Sequence, residues 1–477
     1  MNIPSPAAPA TSSPCESEFN LGYIWLVSTV AALGGLLFGW DWVVIGGAKP
    51  FFERFFHIQN SAALSGWANS CALTGCLAGA LVAGTLSDRF GRKRLLIAAA
   101  ALFALTSTGN ALAQTFVIFI FWRIVGGVAI GLASSLSPMY ISEVAPAQMR
   151  GRLVSLNQLS IVIGVLLAQI TNWWLVRDLP SGATDSFIQN SWFGQQGWRW
   201  MFGITAAPSL LFLLGMFLVP ESPRWLLKYA RADQARSILR RIGGGDYADA
   251  EVRDVEATLS REEVQRVRFA DLLDPRLRRA LVLGVVLAVF QQWCGINVIF
   301  NYAEEIFRAA GYDISSVLKN IAWTGSVNLV FTFVAIGFVD RCGRRPLMLL
   351  GSAGLTVVYL VLGVCYRAHV TGLPVLLVVL AAIACYSMSL APVTWVIISE
   401  IFPNRIRGAA MSLAVMALWM ACFILTYTFP MLNAWLGAAG TFWLYAMVCV
   451  LGGLFIWWKL PETNGQTLEE IERKLSD

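Results

Sequence analysis

Twelve stretches of about 20 apolar residues run through this chain, each long enough to cross the hydrocarbon core of a bilayer. They fall at about 22–47, 66–86, 94–113, 115–138, 154–175, 199–219, 279–302, 318–338, 346–366, 374–398, 409–431 and 440–460. None shows the apolar–polar alternation of a membrane strand. A backbone in lipid must satisfy its own hydrogen bonds, so helices are the remaining solution. The expectation is an all-α membrane protein with twelve transmembrane helices. Of 477 residues, 57% are hydrophobic and 13% charged, against about 25% charged in ordinary soluble chains. That composition excludes a cytosolic enzyme and a nucleic-acid binder.

The net charge of +6 is a topology signal. Counted over alternate connections, 27 of the 35 Lys and Arg residues fall on the side shared by the two termini. Seven fall on the other: Lys49, Arg54, Arg177, Arg199, Arg308, Lys319 and Arg367. The remaining one, Arg123, is inside a span. The positive-inside rule then makes both termini cytoplasmic, in a multi-pass protein of the cell membrane with lipid as its solvent. Residues 1–21 read as a disordered tail, since the first 20 contain no Lys or Arg and no apolar core for a signal peptide. The nine cysteines form no CxxC, and seven lie in apolar runs as small buried residues, so no metal site is expected.

The halves repeat. Asp88-Arg89-Phe90-Gly91-Arg92-Lys93 follows span 2 and Asp340-Arg341-Cys342-Gly343-Arg344-Arg345 follows span 8. Ser142-Glu143, Pro146 and Arg150-Gly151 follow span 4; Ser399-Glu400, Pro403 and Arg407-Gly408 follow span 10. Pro220-Glu221-Ser222 ends span 6 and Pro461-Glu462-Thr463 ends span 12. The expected organisation is a six-helix bundle over 22–219, a charged cytoplasmic helical linker over 220–278, a second bundle over 279–460 and a tail over 461–477. Parallel six-span repeats are the major facilitator plan, with the substrate between the halves near mid-membrane.

These motifs, with Pro220–Trp225 (PESPRW), Gln291–Asn297 (QQWCGIN) and Pro461–Glu470 (PETNGQTLEE), resemble the sugar porter family of the major facilitator superfamily, close to its bacterial xylose–proton symporters. The resemblance covers nearly all of residues 22–470. It implies a secondary transporter that moves a monosaccharide, pentose or hexose, by alternating access, with no enzymatic activity and no cofactor. A monomer is expected.

Residue chemistry agrees. A sugar needs amides that donate and accept, and aromatic faces for its C–H surfaces. Gln291, Gln292 and Asn297 lie mid-span, as do Asn328 and Trp419. The alternative for such amides is a bond between helices. The resemblance adds Phe38, Gln158 and Trp395 as sugar contacts. It also marks departures from the xylose–proton symporters: Asn301 for the first of a tyrosine pair, Val165 for a glutamine, Leu418 for an amide and Thr205 for a glutamate. Selectivity is therefore left open.

Asp41 and Arg123 are ionisable residues inside spans, which marks them as functional. At 1.5 Å per residue they lie about 9 and 12 Å from the outer ends of their helices, so they can share a depth. An aspartate beside an arginine stays ionised, protonation releases the pair, and arginine cannot give up its proton in return. That is the chemistry of proton coupling; a static pair that only fixes packing is the alternative. The resemblance implies that Arg92, Glu143, Arg150, Glu221, Arg224, Arg344, Glu400 and Arg407 close an inner gate through salt bridges. The leading expectation is proton symport of a sugar, with a facilitator or a non-transporting sugar receptor as alternatives.

Overall fold

A computed structural model describes residues 19–180, 182–264, 278–402 and 407–462, and among them every regular element is a helix. The first half holds α1 (Leu21–Phe55), α2 (Ala62–Phe90), α3 (Arg92–Leu112), α4 (Phe116–Val144) and α5 (Arg150–Val176). After the short α6 (Asp185–Asn190) and a π-turn at Phe193–Gly197, the sixth span is built from α7 (Trp198–Gly203) and α8 (Ala206–Leu218). The connection contains α9 (Pro223–Lys228) and α10 (Ala232–Val264), the latter kinked at Gly243 and Gly244. The seventh span is α11 (Arg278–Trp293) with α12 (Ile296–Asn301), followed by the short α13 (Ala303–Ala309), α14 (Ile314–Cys342) and α15 (Arg344–Arg367). The tenth span joins α16 (Leu373–Met388) to α17 (Leu390–Ile401). α18 (Arg407–Lys459) carries the last two spans, divided at Gly437, where φ is 68°. The outer parts of both expected tails, the end of the linker and Pro403 lie outside the described residues.

Local chemistry sets the helix ends. Ser61 and Thr115 cap α2 and α4 by accepting from the Leu64 and Ile118 amides. Gly91 and Gly343 stand at matching turns with φ of 94° and 84°, a conformation that favours glycine. Beyond each glycine a helix N-terminus is closed by a carboxylate. Glu221 accepts from the Arg92 and Lys93 amides at 3.0 Å each. Glu462 accepts from the Arg344 and Arg345 amides at 3.0 and 3.1 Å. The sequence repeat is thus also a repeat of contacts, and each acidic residue of PES and PET sits where the helix dipole favours it.

Within the first half, α2 and α4 cross backbone to backbone. A Cβ at Gly127 would lie 1.9 Å from the Ala72 carbonyl oxygen, and one at Gly75 would lie 2.0 Å from that of Ile124. In lipid, where helices gain little from burying apolar surface against each other, such close approach supplies the attraction. The halves meet mainly through α2 against α18 and α5 against α14. There Gln169 Nε2 donates to Thr324 Oγ1 at 3.3 Å. The start of α1 is tied to the linker, since the Asn20 amide donates to the Ile242 carbonyl. At the opposite end the halves touch closely: a Cβ at Gly46 would lie 2.5 Å from the Phe300 carbonyl oxygen, and one at Gly66 would lie 2.4 Å from that of Tyr427.

One expectation is corrected here. Lys49, Arg54 and Arg199 do not lie in loops; they are buried inside α1 and α7. A charge near the end of an apolar run reads as part of a loop, but these charges have partners that let the helix continue. Arg54 Nη2 donates to Asp185 Oδ1 at 2.8 Å, and this bond holds the Asp185 carboxyl below its usual range. Arg199 donates to the Ala111 and Gln195 carbonyls.

Overpacking a tight crossing costs about 1–3 kcal/mol and at times more. Gly127→Leu is therefore expected to lower the unfolding temperature and the yield of monodisperse protein. Gly84→Leu is the control, because no atom lies within 4 Å of a Cβ there. Equal behaviour of the two variants would show that the α2–α4 crossing does not depend on its glycines.

Candidate functional site

Arg123 Nη1 donates to Asp41 Oδ2 at 3.0 Å, with side chains 3% and 9% exposed. The expected pair is thus formed between α4 and α1. The guanidinium also lies over the Phe202 ring, 5.4 Å from its centroid. The pair does not saturate its surroundings. Among the described residues Arg123 Nε, Asn69 Oδ1 and Asn301 Oδ1 are buried without a hydrogen-bond partner. These residues and Trp42 line one small cavity with Asp41. Asn301 comes from the second half, so the ion pair of the first half faces a polar group of the other. Asn301, expected among the sugar ligands, is placed beside the ion pair.

The amides of the seventh span gather around a break. Gly295, with φ of 87°, separates α11 from α12, and the tenth span breaks at Ser389. Gln291 Nε2 reaches across to the Leu390 and Ala391 carbonyls at 3.4 and 3.3 Å. Gln292 Nε2 donates to Gln291 Oε1 at 3.4 Å. Asn297 Nδ2 donates to Gln292 Oε1 and lies 3.6 Å from Cys422 Sγ. Broken helices in a membrane are tolerated where they line a site. Here the amides serve one another, and each can exchange its partner for a hydroxyl because it both donates and accepts.

An aromatic wall stands between the halves. Phe38 and Trp42 of α1 are one turn apart, with centroids 6.1 Å from each other. Trp419 of α18 lies 5.9 Å from both. Trp42 was not marked by its sequence; the available signal was its position four residues after Phe38, on the same face of a helix. Asn328 Oδ1 accepts from Ser387 Oγ at 2.6 Å, which links α14 to α16 as an interhelical amide does. Gln158 on α5 and Trp395 on α17 are exposed.

On the linker side Arg92 and Arg344 each pair with a glutamate of their own half. Arg92 Nε donates to Glu143 Oε2 at 3.0 Å, and Arg344 Nη2 to Glu400 Oε1 at 3.3 Å. Ser222 Oγ donates to Glu143 Oε2 at 2.5 Å. Arg224 is half-buried beside these residues at the start of α9, and Arg150 is exposed at the start of α5. The side chain of Arg407 lies outside the described set.

Comparison with known proteins places this architecture. Residues 27–475 match the family described as sugar (and other) transporter. The chain is 39% identical to the D-xylose-proton symporter of Escherichia coli K12, over 96% of each chain. It is 40% identical to the glucose transport protein of Synechocystis, over 97% of this chain and 99% of that one. The inward open structure of the Escherichia coli xylose transporter superposes with a TM-score of 0.82 at 38% identity, covering 95% of this chain and all of that one. With one family spanning almost its whole length and this fold shared throughout, the chain belongs to the sugar transporter family.

Proposed function

We propose that this protein is a carrier that imports a monosaccharide, pentose or hexose, together with a proton, by alternating access. It resides in the cell membrane as a monomer surrounded by lipid, with termini and linker on the cytoplasmic side. The observation that carries the reading is the buried Asp41–Arg123 pair, set beside an amide and aromatic group that lies between the halves. The names of the relatives, one a xylose–proton symporter and one a glucose transport protein, support the substrate class and the coupling. The excess of Lys and Arg on the linker side supports the orientation.

In this reading Gln291, Gln292 and Asn297 bind hydroxyls, and Phe38, Trp42 and Trp419 cover the C–H faces of the sugar. Gln158, Asn328 and Trp395 complete the site. Asp41 receives a proton from the outer side. Neutralised, it no longer holds Arg123, whose charge persists and turns toward the polar cavity and Asn301 of the other half. Arg92, Glu143, Arg150, Glu221, Arg224, Arg344, Glu400 and Arg407 form the inner gate. The pairs within each half belong to the state in which the cytoplasmic side is open. When that side closes, the same carboxylates and arginines exchange partners across the halves.

Three outcomes test this. Gln292→Ala or Asn297→Ala removes one partner of a mutual pair, at a cost of about 1–3 kcal/mol. Sugar affinity measured by calorimetry is expected to fall about tenfold to a hundredfold, and near wild-type affinity in both variants would remove these amides from the site. Trp42→Ala is expected to raise KM for sugar about two- to tenfold, the worth of one stacked ring, while Trp42→Phe restores most of it. Asp41→Asn is expected to abolish uphill accumulation driven by a pH gradient in proteoliposomes and to spare energy-independent counterflow. Continued accumulation by Asp41→Asn would make the pair structural, and a wild type indifferent to the pH gradient would make the protein a facilitator.

A further inference from the structure

Lys49 is buried in α1, 8 residues beyond Asp41, and its ammonium faces three carboxylates. Glu53 Oε2 lies at 3.2 Å and Glu304 Oε2 at 3.8 Å, and Glu305 Oε1 accepts a direct hydrogen bond. The Tyr302 ring lies 5.6 Å away. Arg308 reaches Glu304 from the rim at 3.1 Å, with its own side chain 46% exposed. Lys49 and Glu53 belong to the first half; Tyr302, Glu304, Glu305 and Arg308 belong to the second. At the same level the Gly46 and Phe300 backbones are in contact. The group is therefore a junction between halves, on the side away from the linker.

Its charge does not balance. Three carboxylates face one buried ammonium, and adding Arg308 still leaves a negative excess. Glu53 Oε1 and Glu305 Oε2 are buried and, among the described residues, without partners. Carboxylates crowded together out of water favour holding a proton, and an unpaired buried charge is costly. Burial, with Glu304 and Glu53 adding to it, pushes the Glu305 carboxyl above its usual range, while Lys49 pulls against this.

We propose that Lys49, Glu53, Glu304 and Glu305 form a second proton-binding site, distinct from Asp41, which latches the outer ends of the two halves together. This rests on the alternating-access reading, since only a rocking of the halves separates α1 from α13. When the outer side closes, the carboxylates converge on Lys49 and one of them takes a proton from the outer solution. When it opens, the carboxylates separate and the proton returns to the same solution. The site therefore moves no proton across the membrane. It makes outer opening slower at acidic outer pH and faster at alkaline pH, by at most about tenfold per pH unit for one linked proton.

Hydrogen exchange on the purified protein tests the latch without requiring transport. In the wild type, protection of segments 47–56 and 302–309, corrected for intrinsic exchange, is expected to fall as pH rises through neutral. Glu305→Gln, which imitates the protonated acid, is expected to keep high protection at alkaline pH and to flatten the profile. Lys49→Gln is expected to lose protection at every pH. A pH-independent wild type, or a Glu305→Gln profile equal to the wild type, overturns the proposal. In proteoliposomes Glu305→Gln is expected to retain uphill accumulation, because Asp41 is intact, while its counterflow stops responding to outer pH. Loss of accumulation in Glu305→Gln would place Glu305 on the path of the transported proton and overturn the latch. A wild type that moves no sugar yet shows the stated exchange profile refutes the transport reading alone.

Discussion

A guanidinium that cannot lose its proton, placed inside an apolar helix, needs a counter-charge at its own depth. Arg123 finds it in Asp41, and much of the first half is arranged to make that meeting possible. α2 packs against α4 through glycines, with a Cβ at Gly131 lying 2.3 Å from the Cys76 carbonyl oxygen. α1 packs just as closely on α5, where a Cβ at Gly39 would lie 1.9 Å from the Ile161 carbonyl oxygen. Bulkier side chains at these crossings would separate the helices and leave the charges apart. The pair is closed in, and its energy depends on both charges being present. Removing one by protonation changes a strong interaction into an uncompensated cation, which is the kind of large, local change that can drive a rearrangement.

Much of this was legible in the sequence. Spans, halves and the paired motifs follow from periodicity in hydrophobicity and from repeated residue strings, and both are one-dimensional signals. The contacts of Glu221 and Glu462 with the following helix N-termini show why the strings repeat: each acid caps the helix that its partner motif begins. Asp41 and Arg123 were legible because a charge in an apolar run is conspicuous. Gln291, Gln292 and Asn297 were legible as a group for the same reason, but their mutual bonding across the Gly295 break was not.

What escaped the sequence were features that depend on two distant segments at once. Lys49 reads as a loop residue until Glu304 and Glu305 are seen to lie against it. Trp42 reads as one tryptophan among 19 until Trp419 is found 5.9 Å away. Asn301 reads as a sugar ligand by resemblance, and only the structure shows that it also lines the cavity of the ion pair. The tenth-span break at Ser389 is foreshadowed by Pro392, which has no amide to donate to the Met388 carbonyl, but the reach of Gln291 to the Leu390 and Ala391 carbonyls beyond it is not legible in the sequence.

These separate features share one helix. Phe38, Asp41, Trp42 and Lys49 occupy 12 consecutive positions of α1, a rise of about 17 Å. Over that distance α1 touches Trp419 of α18 through its aromatic pair, approaches Asn301 of α12 through the ion-pair cavity, and meets Glu304 and Glu305 of α13 through Lys49. A helix packed on α5 by backbone contacts is tied to its own half. Any tilt of that half therefore alters the aromatic wall, the polar surroundings of the aspartate and the outer junction together. No chain of intermediate residues is needed to link the aromatic wall, the ion pair and the outer junction. The linkage is geometric, because a stiff rod cannot change its contacts at one end of this stretch while keeping those at the other.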